Sequence, residues 1–483
     1  MIIGSDSAYF IKARQAGRPV VKDLPKFDLD QYIANYRGKT RVDRLLLIGT
    51  TAPLLASEAL RAAVSEAKQG RDVGRYNAVV AAIRRILPGD TNAVSDSAWI
   101  DRTNKQVKAE SDRLETELKG YKNNLIKESI RMGYDDLGQH FHRIGDLTNS
   151  VKAYGRMRDF CTTASHVVIM SLRLINVSID QGNWLAVQTN VQKLRSPGQL
   201  STEAQQTSAK LSAAMGLALL ASGNFREAAQ EFVETDPRMT QARLDDPSDA
   251  EAFNEVVTPN DIAVYGGLCA LASMDRNELQ KHVLENAKFR TYLELEPHIR
   301  RAITFFVSSK YSACLSILES YRSDYLLDLY LQRHLGELYF QIRSKAIQQY
   351  FIPFSRVTLA ALASAFDADE HTMEQELTSM IKRKHLDARI DLVDRVLLSR
   401  TANARSDVHE NALKMAKDYE RTAHLRILRM EMLNAGLEVS DKGKPGANTT
   451  LETVGLDPFH GGASAGNWTS EGIARSLRSG LRG

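Results

Sequence analysis

Residues 357–391 read VTLAALASAFDADEHTMEQELTSMIKRKHLDARID, and two helical faces are legible in them. Val357, Leu359, Leu362, Ala363 and Phe366 fall on one side of a short helix; Met373, Leu377, Met380 and Ile381 form the answering side of a second. Beyond them Leu386, Ala388 and Ile390 alternate with polar residues, and Val396 and Leu398 repeat the alternation. That period of two belongs to a strand. Two helices, a polar turn and a small hairpin predict a winged helix.

Winged helices often read DNA, with the start of the second helix at base edges and the wing near phosphates. Here the helix start carries Asp367, Asp369, Glu370, Glu374 and Glu376, and the wing carries Asp387, Asp391 and Asp394. Acids in those places repel the duplex. Lys382, Arg383 and Lys384 sit at the helix end, where cations complement the dipole in any protein. The unit is therefore expected to contact protein. The whole chain agrees: 63 Lys and Arg against 59 Asp and Glu leave +4, too little to argue for nucleic acid or an anionic membrane.

Upstream, helical hairpins repeat. LGQHFHRIGDLTNSVKAY (137–154) has a Leu-Gly pair, a Gly-Asp turn and an aromatic on the following helix. MGLALLASGNFREAAQEF (215–232) repeats that layout, and LINVSIDQGNWLAVQTNV (174–191) fits between them. Weaker copies surround Met274-Asp275 and Ser309-Lys310-Tyr311. Turns near 145, 182, 223, 274 and 309 give the spacing of a degenerate tetratricopeptide-like array. The expected fold is mostly α: a right-handed helical repeat array, a winged helix, then a C-terminal helix.

The expected divisions are a flexible lead (1–26), an N-terminal helical region (27–130), the array (131–335) and the winged helix (336–402). A closing helix (403–435) and a Gly-rich disordered tail (436–483) follow. Within the N-terminal region, Val107, Leu114, Leu118, Tyr121 and Leu125 form a narrow apolar seam on a charged rod. Residues 234–261, with three prolines and many acids, read as a surface loop. Leu413, Tyr419, Leu425, Leu428 and Met432 mark the closing helix.

Helical repeats running into an acidic winged helix and a closing helix resemble the PCI-domain family, shared by the proteasome lid and the COP-nine signalosome. Three blocks carry a narrower resemblance to the signalosome's subunit 1 family: FDLDQYIANYRGKTRVDRLLLIG (27–49), residues 128–184, and LYFQIRSKAIQQYFIPFSRVTLAALASAF (338–366) with ELTSMIKRKHLDARID (376–391). The resemblance implies a non-catalytic scaffold in the complex that removes Nedd8 from cullins of cullin-RING ligases. It implies PCI subunits 2 and 3 as neighbours, and a cytoplasmic and nuclear location. On this reading the partner-binding residues are Leu386, Ala388, Ile390 and Val396 of the wing and Leu425, Leu428 and Met432 of the closing helix. A proteasome lid subunit and a nucleic-acid-binding regulator are the alternatives.

Chemistry of its own is not expected. Zinc deneddylases carry His-x-His, then after seven residues a Ser, and an Asp ligand beyond it. Here His140-Phe141-His142 is followed by Ser150, but Ala153 occupies the Asp position. Residues two apart on a helix face about 200° apart, so both histidines cannot converge on one ion. Phe141 is read as the core residue, flanked by the histidines. Cys161, Cys269 and Cys314 lack metal-ligand spacing and read as reduced thiols. No phosphate-cradling glycine loop, cofactor or metal site is expected, and no signal peptide or membrane span.

Overall fold

The computed structural model describes residues 8–195, 207–237, 239, 253–399 and 404–437. Contacts divide the chain into two units, residues 1–401 and 402–483. The expected tail from 438 onward lies outside the described residues.

Paired antiparallel helices build most of the first unit: Lys127–Ile144 with Leu147–Met157, Ala164–Asp180 with Trp184–Arg195, and Ser208–Ala221 with Phe225–Val233. Pro259–Ser273 is followed by a short turn into Leu279–Leu284, and Pro297–Val307 pairs with Tyr311–Ser320. The repeat turns lie where the spacing predicts them. Gly145, Gly182 and Gly223 have φ of 86°, 69° and 81°, the left-handed region that glycine enters without a Cβ penalty. Within a pair the small residue serves packing. A Cβ on Gly138 would stand 2.6 Å from the Tyr154 ring, and one on Gly216 would stand 2.8 Å from Phe232. In these two repeats the helix glycine and the distal aromatic thus fit into one another.

One apolar core runs from Val168 through the hairpins to Leu397, so the array and the winged helix share it. A second gathers Phe10, Leu45, Ile48, Leu60, Val79 and Ile83, together with Leu327 from far along the chain. A third lies between the long helix Ser97–Asn123 and the first repeats. The helix Ser97–Asn123 therefore gives Leu114 and Leu118 to the array's beginning, which blurs the expected boundary at 130. Leu125 drops out of the expected seam. The helix has ended at Asn123, and Leu125 is exposed with φ of 56°.

Two other expectations change. Residues 8–26 are no loose lead: Ala8–Gln15 is helical, Phe10 and Val21 are buried, and the Val21 N–H donates to the Thr51 carbonyl at 3.0 Å. Burial of two apolar side chains outweighs the local polarity that suggested flexibility. The 234–261 loop is buried at its ends, at Thr235, Phe253, Val256 and Val257, while most of its middle lies outside the described residues. Thr258 and Asp261 then form a reciprocal capping box at the start of Pro259–Ser273.

Arg44, in the helix Gly38–Thr51, ties the ends of this unit together. Its guanidinium is fully buried and donates to Asp328 at 2.7 Å, to Asp261 at 3.1 Å, to Tyr265 at 3.2 Å and to the Tyr32 hydroxyl. It also lies 4.0 Å from the centre of the Tyr36 ring, whose hydroxyl donates to Asp261 at 2.7 Å. Burial pushes the Asp261 carboxyl up, against the pull of Arg44. A buried charge persists when paired and hydrogen-bonded on several sides, and Arg44 meets that condition.

Candidate partner-binding surface

The winged helix opens with a strand the alternation did not reveal: β1, Arg356–Thr358. Three residues are too few to show a period. Thr358 then caps the helix Leu359–Ala365 by accepting from the Ala361 N–H at 3.3 Å. The second helix spans Glu370–Lys382, and strands β2 (Ala388–Asp391) and β3 (Val396–Ser399) follow. The sheet is antiparallel in the order β1-β3-β2, with Ala388 opposite Ser399 and Asp391 opposite Val396. Leu359, Leu362, Ala363, Phe366, Met373, Leu377 and Met380 are all buried, as their spacing predicts; Val357, expected on the first helix, is buried as well but belongs to β1, ahead of that helix.

Of the wing residues expected to touch a partner, Leu386 and Ala388 are buried, and Ile390 packs half-buried on the core. Val396 is also half-buried. Leu386 and Ala388 thus serve the domain's own interior, because the apolar face of a one-sided hairpin turns to the helices beneath it. What β2 offers a partner is its backbone edge and the exposed Arg389. The exposed apolar groups lie instead at the wing tip, where Leu392 is 65% and Val393 is 91% exposed. Sequence reasoning missed them, although two aliphatic residues between Asp391 and Asp394 are unusual chemistry for a turn.

Charges on the second helix are engaged within the domain. Glu370 pairs with Arg395 at 2.9 Å, Glu376 pairs with Arg343 at 2.8 Å, and Arg383 lies 4.3 Å above the Phe340 ring. A base-reading role would require that surface to be basic and available.

The helix Ala404–Asn434 is 31 residues long and forms its own unit. Leu425, Leu428 and Met432 are 60%, 54% and 44% exposed, and Ile427, Met430 and Leu433 beside them are exposed too. Apolar residues therefore recur around its last turns, with Arg426, Arg429 and Glu431 set among them. A helix of that kind is stable in water when other helices surround it.

The two histidines of the near-miss zinc motif turn to different partners. His140 is buried with Nε2 2.9 Å from Ser111 Oγ, and burial lowers its pKa. His142 places Nε2 2.8 Å from Asp180. Phe141, expected in the core, is half-buried while His140 takes the interior position. Ser150 donates to the Gly138 carbonyl at 2.9 Å, which serves the helix pair. Among the described residues no group of three or more His, Cys, Asp or Glu is placed to hold a metal ion. Burial pushes the Cys314 thiol up to about 12, and Cys269 is raised by the same cause. Both are poor nucleophiles. Among the described residues no helix is long and apolar enough to cross a membrane.

An array of helical hairpins that shares its core with a winged helix defines a PCI-type protein. The family described as PCI domain matches residues 318–401, and the family described as 26S proteasome subunit RPN7 matches residues 96–282. Relatives extend the likeness over most of the chain. COP9 signalosome complex subunit 1 of Emericella nidulans is 54% identical over 90% of this chain and 87% of its own length. The proteins of that name from Neurospora crassa and Arabidopsis thaliana are 40% and 38% identical, over 87% and 86% of this chain and 95% and 92% of their own. The chain belongs to the COP9 signalosome complex subunit 1 family.

Proposed function

We propose that the chain is a non-catalytic scaffold subunit of the signalosome, the complex that removes Nedd8 from cullins of cullin-RING ubiquitin ligases. The observation that carries this reading is the helix Ala404–Asn434, whose apolar end stands exposed at Leu425, Leu428 and Met432. In this role the helix enters a bundle with helices of other subunits. The winged helix meets neighbouring PCI subunits, 2 and 3, through the β2 edge and the wing tip. Cullin-RING ligases are reached through the assembled complex, in cytoplasm and nucleus, and the isopeptide bond is cut by a different subunit.

Affinity purification of the tagged chain with mass spectrometry of its partners tests the reading. Recovery of signalosome subunits is expected. The match of residues 96–282 to a proteasome subunit family favours a second reading, membership of the proteasome lid. Recovery of lid subunits in place of signalosome subunits would select it.

A further inference from the structure

The closing helix Ala404–Asn434 carries two apolar faces of unequal length. At about 100° per residue, Val408, Met415, Tyr419, Met430 and Leu433 share one side, which runs nearly from end to end. Leu425, Leu428 and Met432 lie about 130° around from it and occupy only the last turns. All of these side chains are exposed in the unit that the helix forms. One neighbouring helix packs along a single row of side chains, so faces that far apart call for two neighbours.

The shorter face continues upstream as charge. Lys414, Lys417 and Arg421 precede Leu425, Leu428 and Met432 in the same row, at steps of 3, 4, 4, 3 and 4 residues. Two turns of cations thus pass into two turns of apolar side chains. Lys414, Lys417 and Arg421 are exposed, so their charges are within a partner's reach. Glu410, Asp418 and Glu420 stand on the neighbouring turns, and none of them closes an ion pair with the three among the described residues. A run of one sign beside an apolar seam selects a partner of opposite sign and repels one of its own.

We propose that this row docks one amphipathic helix of a partner protein, whose apolar turns cover Leu425, Leu428 and Met432 and whose next turns set acids opposite Lys414, Lys417 and Arg421. The proposal rests on the reading of the closing helix as an assembly element and adds the chemistry of one neighbour. The helix on the Val408 face is a different one.

Photo-cross-linking in the complex purified through the tagged chain tests this. A benzoylphenylalanine replaces Ala412, on the long face, in one chain and His424, one turn before Leu428, in another. Mass spectrometry is expected to place the two cross-links on different partner helices. The segment captured from position 424 should carry acids one or two turns from its apolar residues. Combining Lys414→Glu, Lys417→Glu and Arg421→Glu should lower the yield at 424 about tenfold and leave the yield at 412 unchanged, while the free variant melts as wild type does. Lysines in place of the captured segment's acids should then restore the yield at 424.

A cross-link at 412 with none at 424 would overturn the proposal, as would the same helix at both positions or a captured segment without acids. So would a yield at 424 indifferent to the charge reversal, or lipid or nucleic acid captured there in place of a peptide. If neither position cross-links in a complex that assembles, the closing helix is not the assembly element, and the reading beneath the proposal fails with it.

Discussion

Arg44 and Asp328, 284 residues apart in sequence, meet at 2.7 Å, with the guanidinium fully buried. Asp261 and three tyrosine side chains complete the enclosure. Replacing Arg44 by Met leaves two buried carboxylates without their cation. The expected cost is about 3–5 kcal/mol, the usual consequence of breaking a buried pair from one side. Urea denaturation of the two proteins measures it. Adding Asp261→Asn and Asp328→Asn to the same chain should recover a large part of the loss, because no charge is then stranded.

Gly138 lets the first helix pair close on Tyr154, at a place where a methyl group would come within 2.6 Å of the ring. Gly138→Ala is expected to destabilise by about 1–3 kcal/mol through overpacking. Combining it with Tyr154→Leu should bring less than the sum of the two single losses, since the smaller side chain vacates the space. Thermal melts of the four proteins in the cycle decide the matter.

The pH dependence of Lys345 has a defined sign. Its folded pKa, about 8, lies below the ordinary 10.5. The folded state therefore disfavours the charged amine at neutral pH, and the penalty fades as pH rises from about 8 to 10.5. Asp275 and Glu278 pull the amine up and Arg226 pushes it down, but desolvation dominates. Lys345→Met should consequently be more stable than wild type at pH 7, with an advantage that shrinks toward pH 10.5. A constant difference across that window would contradict burial as the cause.

Changing Leu425, Leu428 and Met432 together to Asp should abolish co-purification of signalosome partners. Melting of the 1–401 unit should stay within the scatter expected of surface substitutions, about 0.5 kcal/mol. A separate pair, Leu392→Asp and Val393→Asp at the wing tip, should reduce recovery of PCI partners with equally little effect on melting. Folding lost along with assembly would show that these groups are covered within the chain.

The purified chain is expected to show no isopeptidase activity on a neddylated cullin, with zinc or without. His140 and His142 face Ser111 and Asp180, and Ala153 offers no ligand. Cleavage that disappears in His140→Ala would refute this.

Periodic signals made much of the fold legible. Hairpin turns at Gly145, Gly182 and Gly223, and the two helical faces around Leu362 and Leu377, depend on neighbours a few residues away. Arg44 was not legible, because its partners Asp261 and Asp328 come from distant segments and a charged residue beside Leu45 reads as a helix's wet face. Phe10 was hidden because its burial comes from the helices that follow it, with Leu45, Ile48 and Leu60 in the same core, and the polar residues around it give no sign of that. In the candidate site, alternation correctly grouped Leu386, Ala388 and Ile390 but assigned their face to a partner, and on β3 it picked Val396 and Leu398 where Leu397 takes the interior. Leu386 and Ala388 show that period two says which residues share a side and leaves open what covers that side.

The Arg44 pair also sets a clock on biosynthesis. At about 5–20 residues per second, a ribosome needs about 15–60 s to go from Arg44 to Asp328. For most of that interval the Arg44 cation has neither of its acids, since Asp261 follows it by 217 residues and Asp328 by 284. Chains that stop early keep that arginine and its tyrosines open to view, so unfinished copies carry at their beginning a mark of what is missing at their end.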